Sequence, residues 1–180
     1  MRLSSFALVF VLAAGAGCGG DSSVVCTGTG CSCDDSDCTC AAGLECKAQC
    51  GDEACSLDCT TAAKCEGNST GAIALECHDT SQCKAAGGDG STIVCDQMSN
   101  CDLKAGAHST ATCSGNAICK INLGAASTIR CQDQSACNIK CDADCVVTCT
   151  AGTECAATCG PSDTAATSCP DGRLVCGGSC

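Results

Sequence analysis

From Cys59 to Ala166, small or apolar side chains alternate with polar ones in a pattern that returns every 18 residues. Cys59, Cys77, Cys95, Cys113, Cys131 and Cys149 open the units, and Cys65, Cys83, Cys101, Cys119, Cys137 and Cys155 follow six residues later. The unit is C-x5-C-x11, repeated six times without a slip, and Cys40 and Cys46 begin a seventh unit that is one residue longer. With each unit numbered from its first Cys, position 5 reads Ala63, Ser81, Ser99, Ala117, Ser135, Thr153. Position 9 reads Gly67, Ala85, Leu103, Ile121, Ile139, Ala157, and position 17 reads Leu75, Ile93, Ala111, Ile129, Val147, Ala165. Even positions are mostly polar, as at position 2: Thr60, His78, Asp96, Ser114, Gln132, Thr150. Alternation of period two marks extended chain with one buried face. A helix requires a period of about 3.6, and the Gly and β-branched content opposes it as well.

Two places interrupt the alternation. Position 12 is Gly88, Gly106, Gly124 and Gly160 in four units, with Thr70 and Asp142 in the others. Glycine accepts corner geometry that other residues resist. Position 3 (Thr61, Asp79, Gln97, Gly115, Asp133, Ala151) is the one largely polar odd position and marks a second corner. Short strands between regularly spaced corners predict an all-β fold, a parallel β-solenoid with one coil per unit. About seven coils stacked at ~4.8 Å give a rod of roughly 30 Å.

Composition sharpens this picture. The chain carries 27 Cys in 180 residues, no Trp or Tyr, and two Phe, both within the first ten positions. A conventional core built on large side chains is excluded. Coils this narrow bury too little apolar area to offset chain entropy, so disulfides are expected to supply the deficit. The simplest pairing joins positions 1 and 7 within each coil: Cys40 with Cys46, Cys59 with Cys65, Cys77 with Cys83, Cys95 with Cys101, Cys113 with Cys119, Cys131 with Cys137, Cys149 with Cys155. Stacked Cys of neighbouring coils are also within reach of one another, which leaves the connectivity open. Further Cys gather near the two ends: Cys50 and Cys55, then Cys141, Cys145 and Cys159, then Cys169, Cys176 and Cys180. Extra staples there suit a solenoid, whose terminal edges fray and invite aggregation.

The N-terminus reads as an export signal. Arg2 precedes the short apolar run Phe6–Ala14 and the small residues Gly15, Ala16 and Gly17. Ala14-Gly15-Ala16 fits ordinary signal-peptidase cleavage, whereas Ala16-Gly17-Cys18 resembles the end of a bacterial lipobox, with Gly15 in place of its usual Leu. Lipidation of Cys18 leaves 26 of the 27 Cys, an even number that can pair completely. The expected organisation is a signal peptide over 1–17, a lipid-anchored tether and Cys-rich N-cap over 18–39, solenoid repeats over 40–166 and a Cys-rich C-cap over 167–180. The formal charge of −11 disfavours nucleic acid, and no aromatic side chain past residue 10 is there to stack on bases. Position 8 reads Glu66, Lys84, Asp102, Lys120, an alternation of sign that predicts pairing between stacked coils.

The C-x5-C unit with small residues and outward Thr resembles the disulfide-stapled antifreeze solenoids of insects, over Cys59–Ala166. The resemblance implies a stapled solenoid and, in that family, ice binding through two ranks of Thr in a T-x-T strand. Here position 16 reads Ala74, Thr92, Thr110, Thr128, Val146, Thr164 and position 18 reads Glu76, Val94, Thr112, Arg130, Thr148, Ala166. Only Thr110 and Thr112 complete the pair, and Glu76 and Arg130 interrupt a flat face.

Catalytic patterns are not found. There is no G-x-S-x-G elbow, no Gly-rich phosphate loop with Lys and no paired catalytic carboxylates. The C-x-C pairs Cys31/Cys33 and Cys38/Cys40 resemble those of metallothioneins, which share soft metals between thiolates. Export opposes that use, because thiols oxidise outside the cytosol. His78 and His108, at positions 2 and 14, read as unlinked surface residues. Asp34, Asp35 and Asp37 read as solvated acids, and Gly87–Gly90 resembles a calcium β-roll motif but occurs once. The expectation is therefore a non-enzymatic lipoprotein of the bacterial envelope, at the outer membrane or cell surface. It needs no cofactor or metal, is held to the membrane by its lipid anchor, and serves surface structure or adhesion towards an unidentified envelope or matrix partner. Metal-ion binding or storage is the alternative, and ice binding a more distant one.

Overall fold

The computed structural model describes residues 24–61 and 63–180, so the signal segment and Cys18 lie outside the described residues. Every regular element among the described residues is a strand. The first sheet stacks Glu45–Gln49, Lys64–Asn68, Gln82–Ala86, Asn100–Ala105, Ile118–Leu123, Ala136–Cys141 and Glu154–Cys159. The second stacks Asp37–Cys40, Cys55–Cys59, Ile73–Cys77, Thr92–Cys95, Thr110–Cys113, Thr128–Cys131 and Cys145–Cys149. Within each stack all neighbours run parallel, and each residue lies over the one a unit away, Cys101 between Cys83 and Cys119, Ala111 between Ile93 and Ile129. The chain is a parallel β-solenoid of about seven coils, with one strand of each coil in each sheet.

The core is a narrow slab between the two inner faces. Leu57, Leu75, Ile93, Ile129 and Val147 of one sheet and Leu103, Ile121 and Ile139 of the other are at most 1% exposed. Bulk is balanced across the slab. Where position 15 is the large Ile73, position 9 is Gly67, and a Cβ there would stand 2.6 Å from Ile73 Cδ1. A methyl group more or less is felt at such density.

The corner at position 3 is a left-handed backbone turn: φ is +50° at Thr61, +55° at Asp79, Gln97 and Asp133, and +61° at Gly115. Non-glycine residues at such angles cost of order 1–3 kcal/mol and persist where surroundings over-determine them. Disulfides joining positions 1 and 7 clasp this corner, as in Cys77–Cys83 around Asp79 and Cys95–Cys101 around Gln97. The other corner differs from expectation. Its left-handed residue is at position 14, with φ of +74° at Gly90, +56° at His108, +57° at Ala126 and +54° at Asp144. At position 12, Gly160 of the last unit is left-handed, with φ of +66°, but Gly88, Gly106 and Gly124 are not. They are small because a Cβ would strike the preceding coil, at Thr70 O, Asp89 Oδ1 and Ala107 N respectively.

This second corner is held by a buried serine column that the alternation alone does not announce. Ser91, Ser109 and Ser127, each 1% exposed, occupy position 15. Each hydroxyl donates to the carbonyl three residues earlier: Gly88 O at 2.7 Å, Gly106 O at 2.9 Å and Gly124 O at 2.8 Å. Each also accepts the N–H of position 15 in the preceding coil, from Ile73 at 3.1 Å, Ser91 at 3.2 Å and Ser109 at 3.1 Å. Both roles of a hydroxyl are thereby filled. Beyond the serine column, disulfides hold the same corner, Cys50–Cys55 towards the N-terminal end and Cys141–Cys145 towards the C-terminal end.

Antiparallel strands close both ends. Val25–Thr27 covers Glu45–Gln49, and Cys31–Asp34 covers Asp37–Cys40. At the far end, Thr164–Ala165 turns back onto Glu154–Cys159, and Arg173–Cys176 covers Cys145–Cys149 and pairs with Thr167–Ser168. The parallel stack thus begins before Cys40, with Asp37, and the last unit leaves the coil after Cys159, so that Ala165 at position 17 is exposed. Reversed strands break the register that a further coil would need to extend either sheet.

Candidate functional site

Even positions point outward and stack into columns, so chemistry on this surface is made by residues one unit apart. On the first sheet, position 8 forms a ladder of Lys47, Glu66, Lys84, Asp102 and Lys120 in register. Lys47 Nζ lies 3.3 Å from Glu66, and Lys120 Nζ lies 3.9 Å from Asp102. The Asn68 amide, then Lys47, hold the Glu66 carboxyl below its ordinary range. Beside the ladder, Lys64 pairs with Glu45 at 2.9 Å. Exposed pairs of this kind contribute little to stability and chiefly favour correct register. An open depression of about 560 Å³ runs from Thr27 and Gly28 of the N-terminal cap along these charges.

On the second sheet, Thr92, Thr110 and Thr128 form a short rank at position 16, between Ala74 and Val146. At position 18 the neighbouring column contains Glu76 and Arg130 in register with Val94 and Thr112, which breaks the uniform hydroxyl surface.

A second group of titratable side chains spans three adjacent strands of the second sheet. Asp58 and Glu76 oppose one another at position 18. His78 and Asp96 are at position 2 of successive coils, two residues further along the same face. His78 Nδ1 lies 2.8 Å from Asp96 Oδ1, and its Nε2 lies 3.4 Å from Glu76 Oε2. Asp58 Oδ1 is shielded from solvent and has no hydrogen-bond partner. Burial disfavours the charged imidazole, but the hydrogen bond and charge of Asp96, with Glu76 and the Asp58 charge, outweigh it and raise the His78 pKa above its ordinary value. His78 is therefore no isolated surface residue, whereas His108 is exposed at its left-handed corner. The signal was present in the repeat: positions 18 and 2 are both even, so they share a face, and stacking does the rest.

The remaining sequence-derived residues are placed as follows. All 26 Cys among the described residues are in disulfides. Positions 1 and 7 are joined in each coil, as Cys40–Cys46, Cys59–Cys65, Cys77–Cys83, Cys95–Cys101, Cys113–Cys119, Cys131–Cys137 and Cys149–Cys155. The C-x-C pairs are divided among Cys26–Cys31, Cys33–Cys38 and Cys40–Cys46. Sulfurs of Cys95, Cys101 and Cys119 come within 4.8 Å of one another, yet disulfide sulfur is not the thiolate that binds soft metals. Asp37 accepts a 2.6 Å hydrogen bond from Ser56, and Asp89 of the Gly87–Gly90 segment accepts the Ala107 N–H at 2.7 Å, a corner contact between coils.

Comparison with known proteins finds no matching family model, no matching curated protein and no matching solved structure.

Proposed function

We propose that the chain is an exported, non-enzymatic bacterial lipoprotein, tethered through Cys18, whose stapled solenoid is a rigid spacer or adhesive module at the outer membrane or cell surface. The observation that carries this reading is the complete pairing of the 26 described Cys around a core without aromatics. Such a molecule depends on disulfides, and disulfides persist in oxidising compartments. Pairing of all but one Cys also supports the assignment of Cys18 as the acylated residue, ahead of the Gly-rich tether Gly19–Ser23. Reversed strands at both ends support a unit of fixed length rather than a growing fibre. Storage of soft metal is disfavoured because the C-x-C sulfurs are spent in disulfides. Ice binding is disfavoured by Glu76 and Arg130 beside the threonine rank.

In a bacterial host the mature N-terminus is expected at Cys18 with acyl chains attached, and Cys18→Ala should shift the protein from the membrane fraction into the soluble fraction. Intact-mass analysis of the membrane-extracted protein checks this. A mature chain beginning at Gly17, without lipid, contradicts the anchor.

A further inference from the structure

The outward face of the second sheet carries carboxylates whose counter-ion is one that titrates near neutral pH. The carboxylates of Glu45, Glu66, Asp102, Asp163 and Asp171 are each answered by Lys or Arg. Those cations keep their charge across the physiological range. Glu76 and Asp96 are answered by His78, which does not. Asp58 and Glu76 are directly opposed on adjacent strands, a like-charge pairing that destabilises a sheet unless it is compensated. Asp58 acts on His78 through its charge, and its Oδ1, shielded from solvent, has no hydrogen-bond partner. The charged groups around the imidazole are thus Asp58 from the strand Cys55–Cys59, Glu76 from the strand Ile73–Cys77, Asp79 beside His78 in the corner, and Asp96 just past the strand Thr92–Cys95. Asp79 accepts a hydrogen bond from the Thr61 hydroxyl at 3.1 Å. Along the columns of Glu76 and His78, the next cation among the described residues is Arg130, three coils on from Glu76.

The geometry of the ring makes its charge state matter. Nδ1 lies 2.8 Å from Asp96 Oδ1 and Nε2 lies 3.4 Å from Glu76 Oε2, so a carboxylate flanks each nitrogen. Imidazolium has a donor for both, whereas neutral imidazole has one donor and one lone pair. With the proton kept on the shorter Asp96 contact, loss of charge turns the Nε2 lone pair against Glu76. Asp58, Glu76 and Asp96 are then left without their cation. The load falls on the corner, where His78 N–H donates to Cys59 O at 2.9 Å and Asp96 N–H donates to Cys77 O at 3.0 Å. We propose that His78 is a pH-gated clamp on this corner: protonated, it ties three successive strands together, and on losing its proton it releases them. Burial alone lowers the His78 pKa, but the hydrogen bond and charge of Asp96, then Glu76 and the Asp58 charge, raise it above the ordinary value. A raised value in the folded chain means that the closed corner binds the proton more tightly than an open one. The clamp is therefore closed below the ordinary histidine range and released as pH rises through the raised value. The equivalent bonds in later coils, Ser114 N–H to Cys95 O and Gln132 N–H to Cys113 O, both 2.9 Å, belong to residues that do not titrate, and they are not gated.

The test is NMR of the oxidised protein from mildly acid to mildly alkaline pH, reading the His78 imidazole titration and amide hydrogen exchange together. His78 should titrate above a histidine in an unstructured peptide of the same local sequence. Asp96→Asn should lower its midpoint more than Glu76→Gln does. Protection of the His78 and Asp96 amides should fall through that midpoint relative to the Ser114 and Gln132 amides, which share only the intrinsic base-catalysed rise in exchange. The fold-loss of protection should approach the ratio of the His78 acid constants in the peptide and in the folded chain, as linkage requires. His78→Gln should abolish the pH step, and protease resistance of each oxidised variant reports that it is folded. The proposal is overturned by a His78 midpoint at or below that of the peptide. It is equally overturned by protection at His78 and Asp96 that tracks Ser114 and Gln132 across the titration, or by a step that survives His78→Gln.

Discussion

Complete reduction of the disulfides is expected to abolish the fold. The seven bridges between positions 1 and 7 each close a sequence separation of 6. The loop-closure model assigns about 2 kcal/mol to a loop so short, so seven of them amount to on the order of 15 kcal/mol. That matches the whole net stability of an ordinary small domain, about 5–15 kcal/mol. The core offers little in reserve, because its largest side chains are Leu and Ile. Reduction should also proceed in order. Cys180 is exposed and Cys26 and Cys31 are half-buried, while Cys59, Cys77, Cys95, Cys113 and Cys131 are fully buried. Terminal bridges should therefore open first, and the coil bridges should open together once the ends fray. Circular dichroism and proteolysis through a reductant titration check this. A fully reduced chain that keeps its β-signal and its protease resistance shows that packing alone suffices.

The repeat was legible because two independent signals, cysteine spacing and period-two alternation, share one period. Position 3 could be assigned to a corner from its polarity, and Thr61, Asp79, Gln97, Gly115 and Asp133 are left-handed there. Position 12 was legible only as a need for glycine. Left-handed backbone and close approach to another chain both select glycine, and composition cannot separate them. Position 14 was hidden because His108, Ala126 and Asp144 carry no common side-chain character. The serine column was hidden for a related reason. Ser91, Ser109 and Ser127 fit the small-residue pattern, and only coordinates show that their hydroxyls bridge coils. The His78 cluster required reading down columns at two positions at once. A search along the chain meets Asp58, Glu76, His78 and Asp96 as scattered polar residues.

Deleting Cys95–Thr112 should yield a shorter but intact rod, whereas deleting Cys95–Leu103 should yield an unfolded chain. The longer deletion removes one 18-residue unit and joins Val94 to Cys113, so the alternation continues unbroken. Every remaining coil keeps its own bridge, and Ser91 meets Ser127 in the serine column. Its costs are local. Lys84 comes to lie over Lys120, a like-charge contact of about 0.2–1 kcal/mol, and Ser114 replaces Asp96 beside His78. Stability in a solenoid is nearly a sum over coils and their interfaces, so the loss is about that of one coil. The shorter deletion joins Val94 to Lys104, two outward positions in succession, and removes both Cys95 and Cys101. It leaves half a coil, and a strand displaced by one residue turns its buried face outward. Proteolysis of the two oxidised variants side by side distinguishes them. Survival of the shorter deletion together with collapse of the longer one contradicts an 18-residue coil.

Each coil is closed by its own bridge between positions 1 and 7. Stacked sulfurs make this a real choice, because Cys119 lies within 4.8 Å of both Cys95 and Cys101. Tryptic mapping of the denatured, thiol-blocked but unreduced protein decides it. Trypsin cuts after Lys84, Lys104, Lys120, Arg130 and Lys140, so Cys95 and Cys101 share one peptide, Cys113 and Cys119 the next, and Cys131 and Cys137 another. Three separate peptides are expected, each lighter than its reduced form by the two hydrogens lost in one internal disulfide. Peptides covalently joined to one another, such as Cys101 to Cys119, would contradict it.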